Sequence, residues 1–361
     1  MKLRIWELTK NNQVKMLRKN KLLLLLPLIG VIIFAASDPD TRSQARKNND
    51  LDIMFYNVEN FFDTIDSDLD DDEFLPVSAR RWASYRYYRK LNNIFKVIVL
   101  CGRDMSSPDI IGLCEVENGN VLKDLCERTY LYRDRYDFII SSGKDERGIN
   151  TALLFRKDRI QLISTGSWNP VNEDGTYMAT RALFHNRLKF ETDTLDIIVC
   201  HWPSRRGGAI ESESSRKMVA SFLKAKVDSL GPDRKIIIMG DLNDEPDSDS
   251  VHEVLQAVQA GKKRSNDILI NTAPGGYTGK GSYKYQGPWY LFDQVILSKS
   301  LYQSESGLYY EKQSFRIIDE AALLTEDTSY KGQRPYSTWW GYEYTGGFSD
   351  HLPVTIKLGN R

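Results

Sequence analysis

The chain has 361 residues, of which 41% are hydrophobic and 11% aromatic, with 49 basic and 49 acidic residues. This composition excludes a disordered protein and predicts a globular chain with one large core or two modest cores. The balanced charge argues against a broad basic surface for nucleic acid.

The first predicted element is an apolar stretch, residues 22–36, that follows a basic cluster. It is short for a membrane span and ends in small residues, so it favours a signal peptide over residues 1–37 and hence export to the periplasm or the medium. An uncleaved membrane anchor is the alternative. Residues 1–36 carry seven basic residues and one acidic residue, a net +6, so the rest of the neutral chain carries −6.

The folded domain is predicted for residues 51–358, after a polar linker at 38–50. An amphipathic helix lies within residues 85–102, with Leu91, Ile94, Phe95 and Ile98 on one face, and ends at Gly102. Further helices are expected near 213–229 and 249–260. Strand-like apolar runs lie within residues 51–62, 108–118, 150–156, 195–208, 235–244, 290–298 and 346–358.

Several of these apolar runs end in polar residues that offer hydrogen bonds or oxygen ligands. The clearest case is the stretch MGDLNDEPDS at 239–248, where Asp241 and Asn243 follow a buried strand two residues apart. In an extended backbone they point the same way and form half of a site. Because Asp, Asn and Pro are also common turn residues, a purely structural loop is the alternative.

The other strand ends carry residues that each have an ordinary explanation when taken alone. Glu115 fits a surface residue, His201 a hydrogen-bonded core histidine, and Asp350 with His351 a turn. Their order along the chain is more informative. The series YNVEN, GLCEVEN, CHWPS, GDLND, FDQV and SDHLP resembles the endonuclease/exonuclease/phosphatase superfamily, the DNase I-like fold, over residues 51–358.

The resemblance implies an α/β (α+β) fold, a four-layer sandwich of two mostly antiparallel β-sheets flanked by helices. The stretches NVENFF and HWPSRRGG are similar to those of secreted bacterial members. The chemistry that it implies is metal-assisted hydrolysis of a phosphate ester. Asn57 and Glu115 are the implied metal ligands, with Asp350 beside the metal. Carboxylate and amide oxygens suit Mg²⁺ or Mn²⁺, while Ca²⁺ is compatible but not indicated.

The resemblance also implies roles for the catalytic residues. Asp241 and Asn243 position the attacking water and the phosphate, or share a second ion. His351 contacts the phosphate or activates water, with its imidazole oriented by Asp293. His201 assists the leaving oxygen.

Further residues extend the implied site towards the substrate. Arg181 matches a family arginine that contacts phosphate, and Arg205 and Arg206 lie in a glycine-containing loop able to wrap an anion. A solvated basic turn is the alternative for that loop. Asn150 is expected to orient His201 next to the substrate. Glu117 is expected to support Glu115.

The acidic run from Asp63 to Glu73 lacks the glycine and glutamate that an EF-hand loop requires, so it predicts a solvated surface loop. Cys101, Cys114, Cys126 and Cys200 are compatible with export, but the sequence gives no pairing.

Three functions follow from the sequence. The first is an exported nuclease, with nucleic acid as substrate. The second is a phosphatase or phosphodiesterase acting on small or lipid phosphate esters, which the net charge of −6 keeps open. The third, a non-catalytic binding protein, is disfavoured because every expected catalytic position is filled. No protein partner is predicted, and a monomer is expected.

Overall fold

The computed structural model describes residues 49–68, 70–102, 106–172, 174–261, 269–274 and 279–361. The segment 1–37 and nearly all of the linker 38–50 lie outside these described residues. One compact unit extends over Asn49–Arg361. Within the described residues, no helix has both the length and the apolar character that a membrane crossing requires.

The apolar runs of the sequence form two seven-stranded sheets. The first sheet contains β1 (Leu51–Phe61), β2 (Ile110–Val116), β3 (Tyr136–Ile140), β4 (Asn150–Arg156), β14 (Leu308–Tyr310), β15 (Arg316–Ile317) and β20 (Val354–Asn360). Its order is β14-β20-β1-β2-β4-β3, and β15 also pairs with β20. Only the central β1 and β2 pair in parallel.

The second sheet contains β5 (Ile160–Trp168), β6 (Leu183–Phe190), β7 (Asp193–His201), β8 (Lys235–Asp241), β9 (Ala257–Ala260), β10 (Leu269–Pro274) and β13 (Asp293–Ser298). Its order is β5-β6-β7-β8-β13-β10-β9. The pairs β7–β8 and β9–β10 are parallel and the others are antiparallel. The prediction of mostly antiparallel sheets is therefore confirmed.

Helices and short hairpins complete the fold. The hairpins are formed by β11 (Tyr283–Lys284) with β12 (Trp289–Tyr290), β16 (Leu324–Glu326) with β17 (Gln333–Pro335), and β18 (Trp339–Trp340) with β19 (Glu343–Tyr344). The α-helices are α1 (Ser84–Cys101), α2 (Gly119–Arg128), α3 (Glu213–Leu230) and α4 (Lys299–Tyr302). Single 3₁₀ turns lie at Asp72–Phe74, Tyr130–Asp134 and Ala321–Leu323, and a π turn lies at Ser250–Val254.

Alternation along β1 shows how the layers are built. Ile53 and Phe55 point into a core that also contains Ile197 and Met239 of the second sheet. Met54, between them, belongs to the core under α1 and α2. Because successive side chains of a strand face opposite sides, one strand serves both cores. A third core lies between the second sheet and α3, which confirms the predicted four-layer sandwich.

The prediction of a helix near 249–260 is wrong for the second half of that range. The chain forms a π turn at Ser250–Val254, and Gln256 then takes a left-handed φ of 61°. Residues Ala257–Ala260 instead form β9, paired with β10 at the edge of the second sheet. Sheet pairing outweighs the helix-like spacing of the apolar residues here.

The acidic run 63–73 is only partly the solvated loop that was expected. Asp66 and Asp72 are exposed, but Asp71 retains only 2% exposure. The four cysteines are unpaired, and Cys114, Cys126 and Cys200 are buried.

Candidate active site

Three predicted residues stand side by side at one end of the second sheet. His201 is the last residue of β7 and pairs in register with Asp241, the last residue of β8. Asp293, the first residue of β13, pairs with Asp241 from the other side. Neighbouring strands lie about 5 Å apart, so this register alone brings the three side chains together.

Two further residues come from the adjacent end of the first sheet. The β1–β2 ladder is irregular after Asn57 and its partner Cys114, which displaces Glu115 from the regular pleat. Glu115 has a left-handed φ of 62°, and its carboxylate accepts hydrogen bonds from Asn57 Nδ2 at 3.2 Å and from the backbone N–H of Asn60 at 2.9 Å. Strained backbone of this kind is common at functional sites.

The loop before β20 connects the contributions of the two sheets. Ser349 Oγ donates to the carbonyl of Asn57 at 2.7 Å, which fixes the loop against the end of β1. His351 then reaches the second sheet, where its Nδ1 lies 2.7 Å from Asp293 Oδ2. The site therefore lies on the boundary between the two sheets and needs both.

His351 is a buried imidazole whose charged form is favoured by the neighbouring carboxylates. Burial lowers its pKa, but the carboxylates of Asp293 and Asp241 outweigh burial and raise the pKa well above its usual value. Its Nε2 lies 3.7 Å from Asp241 Oδ2, and the ring of Tyr283 stacks on it at 4.6 Å. The imidazolium is thus fixed in place with its Nε2–H available to an anion.

His201 is in the opposite state. Burial lowers its pKa well below the usual value, and the nearby charges of Arg181 and Arg147 lower it further. Its Nε2 lies 3.7 Å from Asp241 Oδ2 and 3.9 Å from Glu115 Oε1, whereas its Nδ1 has no hydrogen-bond partner within the described part of the chain. The site therefore has two histidines with different tasks: His201, with the lowered pKa, can accept a proton, and His351, with the raised pKa, can stabilise negative charge.

Asp241 lies between the two histidines. Burial raises its pKa to about 7, with His351 opposing and Asp293 adding to this shift. A carboxylate with a pKa near neutrality is suited to accept a proton from water. Asn243, with a φ of 51°, donates its backbone N–H to Asp241 Oδ1 at 2.9 Å and its side-chain amide to the carbonyl of Trp202 at 3.2 Å.

The donor atoms around Glu115 and Asp350 fit a hard divalent cation. Burial and the charge of Glu115 raise the pKa of Asp350, and His351 opposes this rise. A cation bound between these carboxylates would relieve their repulsion. Of the described acidic, histidine and cysteine side chains, Asp241, Asp293 and His351 also bring ligand atoms within 4.8 Å of one another. His351 is hydrogen-bonded to Asp293 and lies within ion-pair distance of Asp241, and we name these three residues the catalytic cluster.

Asn57 connects residues of the two sheets through hydrogen bonds. Its Oδ1 accepts the backbone N–H of Glu59 at 3.0 Å, while its Nδ2 donates to Glu115 and, at 3.1 Å, to Asp241. The amide nitrogen thus bridges the two carboxylates, while the amide oxygen has a second lone pair beyond the one that accepts the N–H of Glu59. The role of Asn57 as a metal ligand stays a prediction.

The implied substrate arginines are not equivalent. Arg205 is not a free anion-binding residue, because it is paired with Asp244 Oδ1 at 2.9 Å, bonded to the carbonyl of Asn243 at 2.8 Å, and packed over the ring of Phe292 at 4.7 Å. Arg206 is exposed, and its guanidinium has no partner among the residues that the structure describes. Arg181 is buried between Asp145 and the carbonyl of Trp202, at 3.1 and 2.7 Å.

Asn150 and Glu117 also differ from expectation. The side-chain amide of Asn150 bonds the carbonyls of Glu117 and Gly148, at 3.0 and 2.8 Å, and within the described chain it forms no hydrogen bond to His201. Its role is to close the loop before β4. Glu117 accepts the backbone N–H of Asp63 at 2.6 Å, so it holds the acidic loop rather than Glu115.

Sequence reasoning missed two residues of the site. Arg147 lies beside His201, with its side chain 43% exposed and its Nε 3.5 Å from Asp145. Tyr283 packs on His351. Neither has a local signal in the sequence, because each reaches the site through a loop or a two-residue strand far from the strand-end motifs.

A family comparison gives the context for this geometry. A model of the endonuclease/exonuclease/phosphatase family matches residues 52–360. The chain belongs to this family. Family members are metal-dependent phosphoester hydrolases, so the chain is an enzyme of that class, which agrees with the carboxylates and two histidines at the sheet ends. No curated protein matches the chain.

Solved structures share the fold of this family member at low sequence identity. A humanised D. rerio TDP2 is 15% identical with a TM-score of 0.54, covering 86% of this chain and 100% of its own. The human nocturnin catalytic domain is 15% identical, with a TM-score of 0.52 and coverage of 86% and 95%. A mannosyl-6-phosphatase of Bacteroides thetaiotaomicron is 16% identical, with a TM-score of 0.51 and coverage of 85% and 99%.

Proposed function

We propose that this phosphoesterase is an exported, Mg²⁺-dependent nuclease. The observation that carries the proposal is Arg147, whose charge acts on His201 from outside the catalytic cluster, together with two further cationic residues in the loop that contains Arg147 and in the loop that follows His201. We name Lys144, Arg147 and Arg206 the basic rim. A small phosphate ester needs only the groups that hold its scissile phosphate, whereas a polynucleotide needs further cations for the neighbouring phosphates.

Hydrogen bonds connect the two loops that carry the basic rim. Asp145 accepts the backbone N–H of Arg147 at 3.1 Å and a guanidinium N–H of Arg181 at 3.1 Å. Arg181 in turn donates to Trp202, next to His201, and Arg206 follows in the same loop. On this proposal, the rim supplies the local positive charge that a domain of net charge −6 lacks as a whole.

The residues of the site divide the tasks of phosphodiester hydrolysis among them. A divalent cation held by Glu115 and Asp350 would polarise the phosphoryl group and neutralise its charge. The imidazolium of His351 donates from Nε2 to a non-bridging oxygen. Asp241 accepts the proton of the attacking water. The neutral His201 lies beside the cation-binding carboxylate, where it forms a hydrogen bond to an ester oxygen.

Structural neighbours illustrate the alternative substrates. One D. rerio TDP2 structure is complexed with a single-strand DNA product, and another neighbour is a mannosyl-6-phosphatase. The net charge of −6 favours the second candidate function, hydrolysis of small or lipid phosphate esters. The basic rim is the feature that favours nucleic acid.

The purified enzyme can be tested with Mg²⁺ on plasmid DNA, RNA, sphingomyelin vesicles and an inositol phosphate. We expect turnover of DNA or RNA to exceed that of the other two by at least about tenfold. A preference for the lipid or the inositol phosphate would contradict the nuclease proposal while leaving the phosphoesterase assignment intact. Cell fractionation with an intact N-terminus tests export.

A further inference from the structure

A buried lysine that takes no direct part in the proposed chemistry lies beneath the site. Lys90 of α1 has a side chain with 0% exposure. Its Nζ donates to Thr338 Oγ1 at 2.6 Å and to the carbonyl of Phe348 at 2.7 Å, and lies 3.9 Å from Glu59 Oε2. Burying an ammonium costs several kcal/mol unless good partners compensate, so its position calls for an explanation.

The partner carboxylate is attached to the end of β1. Glu59 lies two residues after Asn57 and has a left-handed φ of 50°. Its carboxylate accepts the backbone N–H groups of Thr338 and Trp339, at 2.6 and 3.0 Å. The pair therefore ties α1 and the end of β1 to the chain that precedes the Ser349–His351 loop.

Lys90 does not act alone on that chain. We name residues 346–348 the strap. Asn93, one helical turn after Lys90, donates its amide to the carbonyls of Gly346 and Gly347, at 3.2 and 2.7 Å. Two side chains on one face of α1 thus bind three successive carbonyls of the strap.

The strap lies between α1 and the chain at residues 336–338. An open surface depression of about 630 Å³ borders it, lined by Asn93, Lys96 and Phe348 among others. On the inner side, Gly347 is so close to the carbonyls of Tyr336 and Ser337 that an added Cβ would lie 2.2 Å from each. The backbone N–H groups of the strap donate to the carbonyls of residues 336–338, so the strap is held jointly by that chain and by the side chains of α1.

The position of the strap matters because the catalytic loop begins directly after it. Asp350 is two residues beyond Phe348, and His351 is three. The charge of Lys90 also acts on this loop, where it opposes the rise in the pKa of Asp350 that burial and Glu115 produce.

We propose that Lys90 is a positioning residue that, together with Asn93, holds the strap so that Asp350 faces the divalent cation and His351 faces the phosphate. The inference rests on the proposed metal-binding role of Asp350. It does not depend on whether the substrate is a polynucleotide or a small ester.

The experiment compares Lys90→Met, Glu59→Gln and the double variant with wild type, and uses Lys96→Met on the exposed face of α1 as the matched control. Mg²⁺ affinity is measured by calorimetry, and Tm is measured in the presence of a chelator. Lys90→Met leaves the Glu59 carboxylate buried without its cation, so its Tm should fall. The double variant keeps the net charge and should recover most of the lost Tm.

Mg²⁺ affinity separates positioning from simple stabilisation. If Lys90 positions Asp350, the double variant should bind Mg²⁺ about tenfold more weakly than wild type, as is typical when a group that orients a ligand is lost. Its kcat for bis(p-nitrophenyl) phosphate should fall with little change in KM. Lys96→Met should match wild type in all three measurements.

Several results would overturn the inference. A double variant with wild-type Mg²⁺ affinity and kcat would show that Lys90 only stabilises the fold. If the Lys90 variants fail to fold, Asn93→Ala should still weaken Mg²⁺ binding several-fold, and an unchanged affinity would count against positioning. A wild-type protein that binds neither Mg²⁺ nor Mn²⁺ would remove the metal-binding role of Asp350 itself, which is a distinct failure.

Discussion

Asp293 Oδ2 and His351 Nδ1 lie 2.7 Å apart, with 0% and 6% of the side chains exposed. This contact between a carboxylate and an imidazole is shielded from water, so the charge of one stabilises the charge of the other. It also fixes which nitrogen of the ring faces Asp241 and the substrate.

Asp293→Asn should lower kcat by about 10²-fold or more, because an amide cannot stabilise the imidazolium. The fold should survive, since an amide oxygen can still accept the hydrogen bond. Steady-state kinetics and circular dichroism check both points. Asp228→Asn, at the exposed end of α3, is the control. A fully active Asp293→Asn enzyme would show that His351 needs no charged partner.

Glu115→Gln should abolish turnover at low Mg²⁺ by removing one negative charge from a small set of oxygen ligands. High Mg²⁺ should restore part of the activity, which a titration of rate against Mg²⁺ measures. Unchanged metal dependence in this variant would rule out Glu115 as a ligand.

Because the pKa of Asp241 is raised to about 7, we expect kcat/KM to depend on pH near neutrality. Asp241 must be ionised to accept a proton, so kcat/KM should increase with pH and level off above about pH 7. A bound cation stabilises the ionised form and shifts this increase to lower pH. Asp241→Asn should be slow at every pH tested. A wild-type profile that is flat between about pH 5 and 8 would contradict this role.

Neighbouring arginines should respond differently to substitution. Arg206→Ala should weaken polynucleotide binding and reduce the salt slope by about one, with hydrolysis of bis(p-nitrophenyl) phosphate unchanged. Arg205→Ala should lower Tm by several degrees, because Asp244 loses one of its two arginine partners, the other being Arg216. The nuclease proposal loses its main support if Arg206→Ala changes neither binding nor salt slope.

Glu117 predicts a pH-dependent difference in stability. Burial raises its pKa to about 7, and the charges of Asp63 and Asp71 contribute. A raised carboxyl pKa means that its stabilising contribution is complete below the unfolded-state pKa and is lost as pH rises through about 7. Glu117→Gln should therefore exceed wild type in Tm by a few degrees at about pH 8 and equal it near pH 4, measured with chelator. Equal Tm values at both pH values would contradict the shift.

Sequence patterns predicted the fold best where the spacing of the apolar residues and the length of the apolar run indicate the same element, as in α1 and the buried strand β8. They failed after Leu255, because the edge pairing of β9 with β10 joins residues that no local pattern connects. Site residues at strand ends, such as His201 and Asp241, were also predictable, because a short polar motif directly follows an apolar run there.

The remaining details of the site depend on contacts between distant parts of the chain. Nothing local distinguishes Arg205, which is held by Asp244, from Arg206, which is exposed. The buried partners of Lys90 lie more than 240 positions away at Thr338 and Phe348. Such pairings follow from how the sheets and loops assemble and not from residue type.

Gly112 of the first sheet is in close contact with the second sheet, since an added Cβ would be 2.9 Å from the side chain of Met239, and 3.2 Å from that of Phe55 in its own sheet. Because the site takes Glu115 from one sheet and Asp241 from the other, the thickness of the layer between them sets the span across which substrate must fit. Met239 and Phe55, which are buried in the core, therefore contribute to the width of the site without lining it.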